Sequence, residues 1–270
     1  VEIIEQENRW REKYAAWKAK SGGRVVADID GDYPLIENSR APFTPARRAL
    51  PMMNLALISS AGAYIDGTDP FDTEAPEGDY TFREIPSEIE PEDLRFSARG
   101  YDPALVQQDV NVQIPLARLS EFAANRVIGQ LNSAFWSFCG FIPDAGRLVD
   151  SMLPKLIERL QRYEVRAALL IPASRLCHQS VALAARAIEL AGIPTMMLSV
   201  EREITENTRP PRAGFYQGKI GSVAGQPNWP EHQRRVLDEA LRWIEAMDQP
   251  GTLKLVVELE SQVEAARGER

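Results

Sequence analysis

The chain is short of the groups that usually announce a site. Among 270 residues there are two cysteines, Cys139 and Cys177, and two histidines. Two cysteines cannot make the disulfide framework of a small secreted domain, so a reducing, cytoplasmic setting is expected. Two histidines and two scattered cysteines lack zinc-site spacing, and no metal is expected. Basic residues number 31 against 39 acidic ones, for a formal net charge of −8. That balance argues against a long positive face for nucleic acid. No apolar run approaches the roughly 20 residues that span a bilayer, so no membrane partner is expected. The opening Val1-Glu2-Ile3-Ile4-Glu5-Gln6 lacks the basic and apolar regions of a signal peptide. No GxGxxG follows a strand, no P-loop occurs, no repeat is visible, and Cys177 is not part of a CxxC.

What is present concentrates in residues 167–200. An apolar run, Ala167–Ile171, stops at Pro172, and a short loop, Ala173–Leu176, leads to Cys177-His178. A helix follows, with Val181, Ala184, Ala185 and Ile188 at helical spacing, ended by Gly192 and Pro194. A second apolar run, Pro194–Val200, completes a strand–loop–helix–strand unit. Open α/β sheets bind ligands beyond the carboxyl ends of their strands, and Cys177 falls there. A helix N-terminus also favours the thiolate.

Elsewhere Glu5–Lys20 reads as a charged helix with Trp10, Tyr14 and Trp17 on one stripe, which core packing explains best. Asn54–Ser59 reads as a buried strand, and Tyr80–Ile85 and Leu94–Ala98 as shorter ones. Helices are expected over Pro115–Asn125, after a cap at Asp144 with Pro154 forcing a kink or late start, over Gln233–Met247, and over Leu253–Ala266. Glu201–Gln233 reads mostly as loop. The alternation predicts an α/β fold, a mainly parallel sheet with flanking helices of Rossmann or flavodoxin type. We divide the chain into an N-terminal helix and irregular arm (1–50), an α/β domain (51–250) and a C-terminal helix (251–270). A boundary near Gly140–Asp144 is the alternative.

Each candidate residue has a functional and a packing reading. Cys177 is either a nucleophile or a small core residue beneath its helix. His178 can move protons or pair with the thiolate, although neighbours on a helix point about 100° apart. Ser174 either holds substrate or caps the helix. Arg175 is a carboxylate clamp or a solvated loop cation. Gly62, just past a strand, lets the backbone turn and approach a ligand. Arg99 and Arg212 are candidates for an anionic substrate. Asp109 and Asn111 bind substrate or form a turn. Cys139, within an aromatic run, packs or supplies a second thiol.

Several segments together resemble the selenoprotein B family, the substrate-specific subunits of the glycine, sarcosine, betaine and D-proline reductases. They are Leu57–Gly62, Gly78–Pro86, Arg99–Asp102, Asp109–Leu119, the central unit and Pro211–Leu241. The resemblance covers roughly residues 50–245 and implies a reductase-like fold. It also implies a selenocysteine-x-x-cysteine pair whose selenolate displaces an amine from the substrate carbon. On this chain the second position matches Cys177, but the first matches Ser174, whose hydroxyl is far less nucleophilic. The family's own redox dyad is thus reduced to one sulfur.

Three readings follow. One is a thiol-dependent enzyme for a small nitrogen- or sulfur-containing carboxylic compound, by reductive cleavage with an external thiol reductant or by a lyase-type step. The second is a non-catalytic or binding subunit, docked on a partner subunit or a second copy, that has lost the redox dyad. The third is a small-molecule sensor. The sequence identifies no particular cofactor beyond the external thiol reductant.

Overall fold

The structure, a computed structural model, describes residues 1–21, 28–29 and 31–257. Ten strands are present among them: β1 (Asn54–Ser59), β2 (Ala63–Ile65), β3 (Arg83–Pro86), β4 (Leu94–Phe96), β5 (Gln130–Leu131), β6 (Ala134–Ser137), β7 (Ala167–Ile171), β8 (Thr195–Ser199), β9 (Arg212–Phe215) and β10 (Gly251–Lys254). Eight form one sheet in the order β10-β9-β8-β7-β1-β6-β3, with β5 paired to the start of β1. Every pairing in it is parallel except β3 with β6. β2 and β4 make a separate antiparallel ribbon.

Alternation along the central strands sorts the core. Ala56 and Ile58 of β1 and Ala168 and Leu170 of β7 face one helical layer, built from helices Glu7–Ser21, Leu153–Arg162 and Arg175–Leu190. Leu55, Leu57, Leu169 and Ile171 face the other, where helices Leu116–Ala124 and Pro230–Leu241 lie. Both faces of the parallel strands are therefore apolar, as near-continuous runs such as ALLI demand. The α/β expectation is met.

The topology has one functional consequence. From β1 the chain crosses to β6 on one side, then returns to β7 on the other and runs outward through β8, β9 and β10. Read over the parallel strands, this is the flavodoxin-like order, in which neighbouring connections diverge between β1 and β7. The crevice beyond the carboxyl ends of that strand pair is the ligand-binding position of such sheets.

Local expectations fare unevenly. Trp10, Tyr14 and Trp17 are buried and stack in series. Asp144 Oδ1 caps its helix by accepting from Arg147 N at 3.1 Å. A π turn, Leu148–Met152, lets the following helix begin at Leu153 with Pro154 in its first turn, where no N–H is needed. Glu201–Gln233 is mostly loop as expected, interrupted by the helix Arg202–Thr208 and strand β9. Two readings need correction. Residues 251–254 form edge strand β10 rather than helix, because their backbone pairs with β9. The rest of the predicted Leu253–Ala266 helix lies outside the described residues from 258 onward. The helix expected over Gln233–Met247 spans Pro230–Leu241 and then Trp243–Ala246.

Candidate active site at the strand switch

The β7 carboxyl end runs through Pro172 and Ala173 to Ser174, which is extended (φ −120°, ψ 176°) and caps the Arg175–Leu190 helix. Its hydroxyl oxygen accepts from Cys177 N at 3.1 Å, the usual N-cap bond to the third helical residue. The same hydroxyl donates to Cys177 Sγ at 2.9 Å. Ser174 thus both starts the helix and solvates the sulfur. From β1, Ser60 Oγ accepts from Ala173 N at 3.0 Å, tying the two strand ends together. Cys177 Sγ lies 3.9 Å from the Ser60 carbonyl oxygen.

The third wall comes from the end of β6. A side chain at Gly140 would reach within 2.4 Å of Ser60 Cβ and 3.0 Å of Cys177 Sγ, so only glycine fits. Cys139 is bridged to Ala61, which packs with Ala173 and Cys177. Tyr101 covers this cluster: its hydroxyl donates to the Ala61 carbonyl at 2.7 Å, and its ring, with Phe96, packs against the sulfur's neighbours. Sequence reasoning missed Ser60, Tyr101 and Gly140. The small-residue run Ser59-Ser60-Ala61-Gly62 after a buried strand was the available signal for the first.

The electrostatics reverse one expectation. Cys177 is 1% exposed, and burial raises its pKa above the ordinary thiol value, outweighing bonds from Ser174 and Ser60. The thiolate-favouring helix end is overridden by desolvation. Burial pushes Cys139 up to about 12, with the neighbouring Cys177 adding to it. Tyr101 is likewise raised by burial, then by both cysteines.

His178 is also reassigned. Its Nδ1 sits 2.7 Å from the Ser174 carbonyl, which can only accept, and its Nε2 accepts from Val200 N at 3.2 Å. Both ring nitrogens are engaged by backbone, and burial lowers the pKa to about 4. The imidazole is a neutral brace between the helix start and the end of β8, not a proton shuttle for the sulfur.

The remaining candidates divide. Arg175 stays at the crevice, partly exposed, with loose ion pairs of 3.8 Å to Asp28 and 3.9 Å to Glu201. Arg99 is buried, donates to the Ala75 carbonyl at 2.5 Å and lies 4.6 Å over the Phe141 ring. It also feels Cys139. Arg212 does not join them. It begins β9, the second strand outward from β7, and is buried against Glu189, the Thr44 carbonyl and the Phe43 ring. Asp109 accepts from Asn111 N, Asn228 N and Gln233 Nε2, while Asn111 Oδ1 accepts from Ala117 N. Both tie loops together. Gly62 (φ +69°) is needed because a side chain there would meet the Ser97 carbonyl at 2.5 Å, a backbone contact rather than a ligand. Among the described residues, no group of three or more His, Cys, Asp or Glu converges as a metal set, and no helix is long and apolar enough to cross a membrane.

The chain is similar to known proteins over most of its length. The family model described as glycine/sarcosine/betaine reductase selenoprotein B matches residues 26–173, which is more than half of the chain and ends just before Ser174. The D-proline reductase subunit gamma of Acetoanaerobium sticklandii is 28% identical over 211 residues, covering 78% of this chain and 86% of that protein. The glycine reductase complex component B subunit gamma of Symbiobacterium thermophilum is 25% identical over 168 residues, 61% of this chain. The sarcosine reductase complex component B subunit beta of Peptoclostridium acidaminophilum is 28% identical over 177 residues, 63% of this chain. The chain spans only 39% of the length of each of these two. No solved structure matches. With the family model covering β1 through β7 and the crevice between them, the chain belongs to the glycine/sarcosine/betaine reductase selenoprotein B family.

Proposed function

We propose that this chain is a thiol-bearing subunit of a reductase-type complex in the reducing cytoplasm, acting on a small nitrogen- or sulfur-containing carboxylic compound at Cys177. The observation that carries the reading is the Ser174 Oγ–Cys177 Sγ contact of 2.9 Å at the β1/β7 switch point. In it, Ser174 stands at the position that the resemblance gives to selenocysteine. Cys177 is the attacking sulfur and Ser174 its hydrogen-bond donor. Arg175, whose ion pairs are long, exchanges them for the substrate carboxylate. The resting thiol is protonated and covered, so reaction requires Tyr101 to move and substrate or partner subunit to open the crevice. The net step is reductive cleavage fed by an external thiol, or a lyase-type elimination.

The burial of Cys177 and the loss of His178 as a base favour a second reading, a binding subunit without chemistry of its own. One experiment separates the two. The tagged chain is isolated from its own cells with whatever assembles on it. Thiol-dependent C–N cleavage is then measured with dithiothreitol, as amine release from glycine, sarcosine and betaine and as ring opening of D-proline. The catalytic reading predicts loss of turnover in Cys177→Ala and faster turnover in Ser174→Cys, which restores a paired nucleophile. Unchanged turnover in Cys177→Ala would leave the binding reading.

A further inference from the structure

Away from the strand switch, a cleft of about 600 Å³ opens where the start of β10 meets the end of the Arg202–Thr208 helix and the N-terminal arm. That volume is in the range of small-molecule sites. A buried cation shapes its rim. Arg186 Nη1 donates to the Arg40 carbonyl at 2.7 Å and to the Arg209 carbonyl at 2.8 Å. Two arginines far apart in sequence are thereby pinned around one nitrogen. Both line the cleft, and both are exposed. Among the described residues, neither guanidinium has a hydrogen bond or an ion pair. The carboxylate in the lining does not answer them: Glu206 Oε1 is taken by Arg202 Nε at 2.7 Å. Thr252 of β10 adds a hydroxyl that is also without a partner among the described residues, and Pro210 and Pro250 add apolar wall. In a chain of net charge −8, the cleft reverses the prevailing sign.

From this arrangement we propose that the cleft binds a small dianion, a phosphoryl group or a pair of carboxylates, held by Arg40 and Arg209 with Thr252 as a further donor. The planar guanidinium fork matches two oxygens of either group. Two unpaired forks on one rim suit a doubly charged ligand better than a single carboxylate, and the prolines leave room for a short carbon chain. The site is separate from the thiol. Arg186, which holds the rim, lies nine residues beyond Cys177 on the same helix, about 14 Å along its axis. Arg209 also offers a clean way to test the site. It caps its helix in the left-handed region (φ +54°, ψ 67°), which glycine adopts at no steric cost. The turn does not call for an arginine, so glycine removes the side chain and keeps the turn.

The full chain is titrated by isothermal calorimetry with inorganic phosphate, with succinate and, as the monoanion control, with acetate, all at equal ionic strength. One equivalent of phosphate or succinate should bind saturably, and acetate about tenfold more weakly or less. Saturation by phosphate alone identifies a phosphoryl ligand, and saturation by succinate alone a dicarboxylate. Arg209→Gly and Arg40→Gln should each weaken binding by about tenfold, because each removes a charge-assisted contact. Arg162→Gln, which removes an exposed arginine outside the cleft, should leave it unchanged. Circular dichroism melting should show Arg209→Gly folded as the parent is. The titrations of the unaltered chain decide the matter even if a variant unfolds. No saturable binding of either dianion would overturn the assignment. So would equal affinity for acetate, or dianion binding unchanged in both arginine variants.

Discussion

Both ends of the Arg175–Leu190 helix bury polar groups, and the two sets are chemically opposite. At the carboxyl end Glu189 gathers donors from Arg212, Thr195 N, Thr195 Oγ1 and Thr44 N, all around one carboxylate. Nearby, Arg186 donates to the carbonyls of Glu2, Ile3, Arg40 and Arg209. Those charges are spent on holding the N-terminal arm and β9 against the helix. At the amino end, the buried groups on the helix and its cap are neutral: a hydroxyl, a thiol and an uncharged imidazole. Burial alone therefore does not mark a site. What separates the ends is that one pairs a buried carboxylate with a buried guanidinium, while the other leaves a polarizable sulfur beside a hydroxyl at the strand switch.

The largest effect should come from breaking the charged end. Glu189→Gln or Arg212→Met leaves a buried charge without its counterpart and should cost about 3–5 kcal/mol in urea unfolding. Replacing both by apolar residues of similar volume should recover most of that loss. Next comes pH. His178 has a folded pKa of about 4 against an unfolded value of 6.5. As pH falls from 6.5 toward 4 the unfolded chain takes up a proton that the folded chain refuses, and stability drops. The loss should approach about 3 kcal/mol and be complete near pH 4. His178→Gln should remove that part of the pH dependence, as measured by denaturation midpoints across the range.

Two smaller changes probe the neutral end. Gly140→Ala forces a methyl group onto Ser60 and Cys177 and should destabilise by about 1–3 kcal/mol in thermal unfolding. Ser174→Ala removes a helix cap worth about 1 kcal/mol. It also withdraws the hydroxyl that holds the Cys177 pKa down, so the thiol should titrate higher still.

Much of the scaffold could be read directly. Ala167–Ile171, Ser174 and the helix after it carry strong local signals: an apolar run, a capping side chain, a clear period and a glycine stop. Trp10, Tyr14 and Trp17 showed their buried stripe by spacing alone. β9 and β10 were hidden because RAGF and GTLK are short, contain glycine and pair only through the sheet. The site was half legible. Cys177 and Ser174 are near in sequence, and their contact follows from helix geometry. Ser60, Tyr101, Gly140 and Cys139 come from three other stretches, which meet only in the folded chain. Arg212 was misplaced for a related reason. An arginine in a Pro-rich stretch resembles a loop ligand until the strand it begins is recognised. The direction of the thiol shift was equally out of reach, since the helix end is local and desolvation is a property of the packed whole.

The most direct measurement is the pH dependence of Cys177 alkylation by iodoacetamide in the native chain, resolved from Cys139 by peptide mass spectrometry. A covered, protonated thiol predicts a rate still rising above pH 9, slower at neutral pH than for the unfolded chain. Tyr101→Ala should accelerate it at every pH. A rate that levels off by about pH 7, the mark of an activated thiolate, would contradict the account.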